Sequence, residues 1–161
     1  MNTSTAPVPG VFHYLQHSNV SSQDWQALCQ AITTASLKLH WQPDTLGLTT
    51  APVICEHTGN RRYQFDNNLM GLGMIGFNGE RITTHQAGDP FILYQRQTPY
   101  ALIRCDTRGY PYQWLVMAAL LLASTQCPNV WTIESDVPLK QWRKVAHWLP
   151  HHCQLPVSPL C

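Results

Sequence analysis

The stretch Gln113-Trp114-Leu115-Val116-Met117-Ala118-Ala119-Leu120-Leu121-Leu122-Ala123-Ser124 decides the fold, because no polar residue interrupts it between Trp114 and Ala123. A helix on the surface of a domain keeps one polar face, so a helix that is apolar all round has to be enclosed by other elements. About twelve residues rise only some 18 Å, well short of the roughly 30 Å hydrocarbon core of a bilayer. The run therefore predicts a core helix over about 112–125 and no membrane span. Pro111 suits its first turn, where a missing N–H costs nothing.

Such a helix needs a sheet and further helices around it, and the flanking sequence supplies both. Downstream, Val130–Ile133 reads as an inner strand. Ser135 or Asp136 caps a last helix with Pro138 in its first turn and Trp142, Val145, Ala146 and Leu149 at helical spacing. Pro150 is expected to stop that helix and leave 151–161 as an irregular tail. Upstream, Val11–Leu15 is a short strand. Ser21 and Asp24 form an S-x-x-D start signal for a helix over Ser22–Leu37, with Trp25, Leu28, Cys29, Ile32 and Ala35 on one face.

Between them, turn signals punctuate β-rich runs at Gly59-Asn60, Asn67-Asn68, Asn78-Gly79, Gly88-Asp89-Pro90 and Thr98-Pro99. The runs are Val53–His57, Arg62–Asp66, Gly73–Phe77, Phe91–Gln95 and Tyr100–Cys105. Asn78-Gly79 reads as a two-residue hairpin, since both residues tolerate positive φ. Lys38–Thr50 has no clear state. The expectation is an α+β fold: an antiparallel or mixed β-meander with about three helices packed on it. Residues 1–10 form a flexible lead-in and 11–150 a single domain.

Composition narrows the function classes. The 161 residues are 44% hydrophobic and only 12% charged, which excludes a disordered chain, and the net charge of +1 gives no general reason to bind nucleic acid. Six cysteines without a C-x-x-C pair, behind a start that has no signal-peptide pattern, point to a reducing cytoplasm and free thiols. Walker-type, G-x-S-x-G, H-E-x-x-H and dinucleotide fingerprints are missing from the sequence, so no cofactor is implied.

The most informative polar segment runs from Arg104 to Tyr112, between a strand and the opening of the core helix. Backbone N–H groups at such a junction favour an anion, and Arg104, Thr107, Arg108 and Tyr110 are the candidate ligand-binding residues. Cys105 is the candidate nucleophile, because the helix start and two arginines would lower its pKa. His85, near Thr83, Thr84 and Asp89, is the candidate acid or base, while Glu56 and His57 point to opposite faces of one strand. His147 and His151 stand four apart, but Pro150 lies between them and ends the helix that would make that spacing useful; His151 and His152, with Cys153, are expected in the irregular tail, and no metal site is assigned.

Phe77-Asn78-Gly79, His85, Pro90-Phe91, the C-x-T-x-x-x-P-Y of Cys105, Thr107, Pro111 and Tyr112, Ser135-Asp136 and Trp142 resemble a family of small uncharacterised proteins of bacteriophages and mobile elements. The likeness runs from Gly76 to about Leu149. Gln86 stands where that family has an acid, and Asp106 where it has a basic residue. The resemblance implies a phage-type accessory role inside a host cell and supplies no reaction. Its positions read as a tight Asn-Gly turn, a loop fixing the core helix, a Ser-Asp cap, and Tyr112 and Trp142 packed between two helices.

The leading expectation is a non-enzymatic binding protein that engages a host protein or a small anionic, nucleotide-like ligand through the strand-to-helix loop, in counter-defence. Six Trp and six Tyr suit interfaces and stacking. Its rivals are a small hydrolase or nucleotide-modifying enzyme using His85 with Arg108, and an oligomeric part of a virion.

Overall fold

The computed structural model describes residues 8–56, 70–71, 73–80, 86–97 and 102–159. The strand expected over Arg62–Asp66, the turns at Gly59-Asn60, Asn67-Asn68 and Thr98-Pro99, and His57 and His85 lie outside the described residues. In chain order the elements are β1 (Val11–Gln16), α1 (Ser22–Trp41), a 3₁₀ turn (Pro43–Leu46), β2 (Val53–Glu56), β3 (Met70–Gly71), β4 (Met74–Glu80), β5 (Phe91–Tyr94), β6 (Leu102–Asp106), α2 (Gln113–Gln126), β7 (Trp131–Ser135) and α3 (Leu139–His152).

The fold is α+β, and every strand pairing in it is antiparallel. It is not one meander. One sheet has the order β6-β1-β7, so the first strand lies between two of the last, and a second is built on β4, which pairs with β2, β3 and β5. Alternation along β1 turns Phe12, Tyr14 and Gln16 inward. Two of these side chains join the sheets. The Tyr14 hydroxyl donates to Ile92 O at 2.7 Å and accepts from Ile92 N at 3.3 Å, and Gln16 Nε2 donates to Tyr94 O at 3.0 Å. Those β5 backbone groups lie on the edge away from β4, so side chains close an edge that would otherwise stay unpaired.

α1 begins as its signal requires, with Ser21 Oγ accepting from Asp24 N at 3.2 Å. It runs past the expected end to Trp41, because Leu39 extends the buried stripe and Pro43 is the first residue that cannot continue it. α2 is buried from Leu115 to Ala123 and lies against α1 and α3. Phe77, Phe91 and Tyr14 form a chain of tilted aromatic contacts at 5.1 and 5.5 Å beside it in the core.

Four local expectations are corrected. Asn78 and Gly79 are not a hairpin turn; they lie inside β4, opposite Cys55 and Ile54, and both are buried. Tertiary packing overrides the local preference, because the bare backbone at Gly79 receives the ring of Tyr112, and a Cβ there would overlap Tyr112 Cβ and Cγ. Tyr112 therefore packs on β4 rather than between two helices, with its hydroxyl donating to Asp89 O at 2.6 Å. Ser135 and Asp136 do not cap α3 either, whose N-cap is Pro138. Asp136 Oδ1 accepts from Gly10 N and Val11 N at 3.0 and 2.9 Å and so fixes the entry to β1. Ser135 Oγ donates to Val11 O at 3.0 Å.

Finally, α3 passes through Pro150 to His152 instead of stopping there. Trp148 and Leu149 before the proline and Cys153 after it are all buried, and Leu149 O accepts from both Cys153 N and Leu155 N at 3.1 Å. These anchors hold the last turn in place although Pro150 contributes no N–H.

Gly79→Ala is expected to cost about 3 kcal/mol or more, the upper range for overpacking a dense core. Tyr112→Phe, which removes only the hydroxyl bonded to Asp89 O, is expected to cost about 1 kcal/mol. Urea unfolding midpoints of the two variants check this order, and a Gly79→Ala protein as stable as wild type contradicts it.

Candidate functional site

The expected anion loop is the place to begin. After β6 the chain makes a tight turn over Thr107–Tyr110, in which Arg108 and Gly109 have φ of 57° and 73° and Tyr110 N donates to Thr107 O at 3.0 Å. Asp106 Oδ1 accepts from Arg108 N at 2.8 Å, and Thr107 Oγ1 accepts from Gly109 N at 3.3 Å. Thr107 N donates to Gly10 O at 2.8 Å. The opening amides of α2 turn back as well: Gln113 N to Tyr110 O at 2.9 Å, Trp114 N to Pro111 O at 3.2 Å and Leu115 N to Tyr112 O at 2.9 Å. The N–H groups that would cradle an anion already have partners in this joint.

The side chains follow the same logic. Thr107 is fully buried, and its hydroxyl lies 2.8 Å from both Gly10 O and Gln113 Oε1, so it belongs to the joint and not to a ligand site. Arg104 is exposed, with its guanidinium 3.8 Å from the Asp89 carboxylate and 3.7 Å from that of Asp106. Arg108 is exposed and Tyr110 half-buried, so both reach the surface. An anion beside Arg104 would meet those two carboxylates as well.

Cys105 is corrected more sharply. Its thiol is buried and donates to Asp89 O at 3.6 Å. Burial pushes its pKa up to about 12; the hydrogen bond with Tyr112 opposes that rise without reversing it. The direction is opposite to the one a helix start and two arginines predict, because burial of the sulfur dominates and the Asp89 and Asp106 carboxylates add to the rise while Arg104 alone of the two arginines opposes it. Cys105 is a core thiol. His85, the other half of the enzymatic reading, lies outside the described residues.

A different site was missed. α2, β7, α3 and the chain at Ser158 and Pro159 enclose a cleft of about 350 Å³, whose walls are Leu120, Leu121, Ile133, Val137, Leu139 and Trp142. Ser124, Thr125, Ser135 and Ser158 add hydroxyl groups, and no charged side chain lines it. Trp142 is steadied by an edge-on contact with Phe12 at 5.8 Å, and Ser158 N donates to Thr125 Oγ1 at 2.8 Å. The available signal was the end of α2: Ser124 and Thr125 break the apolar run on the side that Leu120 and Leu121 share at helical spacing. Apolar walls with a few hydroxyls are the chemistry of a site for a neutral, largely hydrophobic group.

The histidines expected in the irregular tail are on a helix: His151 and His152 are the last two residues of α3, and His147 and His151 are exposed on it. Among the described residues no group of three or more His, Cys, Asp or Glu is placed to hold a metal ion, and no helix is long and apolar enough to cross a membrane. Comparison with known proteins finds no matching family model, no similar curated protein and no similar solved structure.

Three other thiols are buried as that of Cys105 is. Burial raises Cys29 and Cys153 to about 11 and Cys127 to about 12, from an ordinary 9.0. A raised acid pKa in the folded state means that the folded protein keeps protons the unfolded chain releases. The stability these groups contribute is complete below pH 9 and is lost as pH rises from there towards 11 to 12. Urea midpoints of the reduced protein are therefore expected to fall steadily above pH 9, and a flat profile to pH 11 contradicts the assignment.

Proposed function

We propose that this protein is a non-enzymatic binding protein of the phage accessory type that its C-terminal part resembles, and that its ligand enters the cleft between α2, β7 and α3. The carrying observation is the cleft itself. At about 350 Å³ it falls in the range of roughly 300 to 1,000 Å³ typical of small-molecule sites, and it has uncharged walls. The ligand is a neutral, mainly apolar small molecule, with a ring or alkyl chain against Trp142 and Leu121 and a polar end at the Ser124 hydroxyl.

This reading keeps the binding role and moves it away from the strand-to-helix loop. The use of the loop's N–H groups within the fold, and the carboxylates beside Arg104, argue against a nucleotide-like anion there. The buried, proton-retaining Cys105 argues against nucleophilic catalysis by that thiol. A host-cell setting follows from the resemblance and is part of the same proposal.

Titration with the neutral fluorophore N-phenyl-naphthylamine tests the site. It is expected to bind with a rise in emission, and Ser124→Leu, which fills the cleft from α2, is expected to weaken binding at least tenfold while the unfolding midpoint holds or rises. Arg108→Ala is expected to leave binding unchanged. Loss of binding in Arg108→Ala, with Ser124→Leu unaffected, would return the site to the loop.

A further inference from the structure

We propose that His147 and His151 form a two-imidazole chelate on α3 for a borderline divalent transition metal, Zn(II) or Ni(II). The inference is independent of the cleft. It begins from the continuity of α3 through Pro150, which keeps the two residues one helical turn apart on the same face. The imidazole rings stack with centroids 3.8 Å apart and planes 19° from parallel. Two nitrogens on one tetrahedral ion, each at about 2.0–2.1 Å, stand roughly 3.4 Å apart, and because the ion lies in the plane of each imidazole that binds it, the exposed ring of His147 has to rotate out of the stack to chelate.

The hydrogen bonding sets the donor atom. His151 Nδ1 lies 2.8 Å from His147 O, and a carbonyl oxygen only accepts, so Nδ1 carries the proton. In the neutral ring this leaves the lone pair on Nε2. A metal-ligating histidine commonly has its other nitrogen bonded to a backbone carbonyl in this way, which fixes both tautomer and ring orientation. Here the carbonyl belongs to the partner ligand.

The surroundings select the metal class. α3 contains no Asp or Glu, and Arg143 stands one turn before His147, so hard cations that need several oxygen ligands find none on this helix. Imidazole pairs suit Zn(II) and Ni(II). Cys153 is buried beneath the helix end and does not compete. Both histidines are exposed, so water or an added ligand completes the coordination. The metal would also bridge the turn in which Pro150 offers no N–H to Ala146 O.

Calorimetric titration of the reduced, untagged protein with Ni(II), and separately with Zn(II), tests the proposal. One ion per chain is expected, at micromolar affinity. His147→Ala and His151→Ala are each expected to weaken binding at least tenfold, with unfolding midpoints near wild type, whereas His152→Gln binds as wild type does. The proposal is overturned if neither metal binds below millimolar concentration. It is equally overturned if the His147 and His151 variants bind as tightly as wild type, since the ion would then be held by other histidines.

Discussion

Tyr112 lies with its ring against the backbone of Gly79 and its hydroxyl on the carbonyl of Asp89, and the two halves of the molecule meet at that contact. Gly79 belongs to β4, the strand on which the second sheet is built. Tyr112 is the residue from which α2 starts, and the Asp89 backbone and carboxylate bond to Asp106 at the end of β6. One side chain thus sets the distance between a sheet, the core helix and the loop that joins them. The glycine is needed because only a residue without Cβ lets the ring approach so closely. Gly88 is constrained in the same manner, since a Cβ there would meet the Tyr112 hydroxyl.

A second set of constraints ties the start of the chain into this frame. β1 has Val11 opposite Asp106 on one side and Phe12 opposite Ser135 on the other. Thr107 and Asp136, from the segments after those two partner strands, both bond to the backbone at Gly10. The central strand of this sheet is therefore held entirely by contacts distant in sequence, whose loop-closure entropy has to be met before they stabilise anything. This explains why so many polar groups near the 104–112 loop are occupied. They join β1, β6 and α2, and a group bonded in that joint is not available to a ligand.

Legibility in the sequence followed the range of the interactions. α1 was readable from Ser21, Asp24 and a clean apolar stripe, and α2 from an uninterrupted run, because both signals are local and the packing agrees with them. Asn78-Gly79 misled because the hairpin preference is local, whereas the need for a bare backbone under Tyr112 is not. Pro150 misled because a proline's effect on a helix depends on what anchors the residues beyond it. In the candidate site, Arg104 and Arg108 were rightly placed at a strand-to-helix junction, but Asp89, which pairs with Arg104, and Gly10, which bonds Thr107, are remote in sequence. Of the cleft only one wall was marked, by Ser124 and Thr125 at the end of α2, because its walls come from three elements and only the fold brings them together.

The central claim is that the loop at 104–112 is structural and that binding occurs in the apolar cleft. Amide shift mapping of the isotope-labelled protein during titration with N-phenyl-naphthylamine tests it most directly. The account predicts saturable shifts at Leu120–Thr125, Ile133, Leu139 and the Trp142 indole, with Arg104–Tyr110 unmoved. Shifts centred on Arg104, Arg108 and Tyr110, with the cleft residues silent, would contradict it.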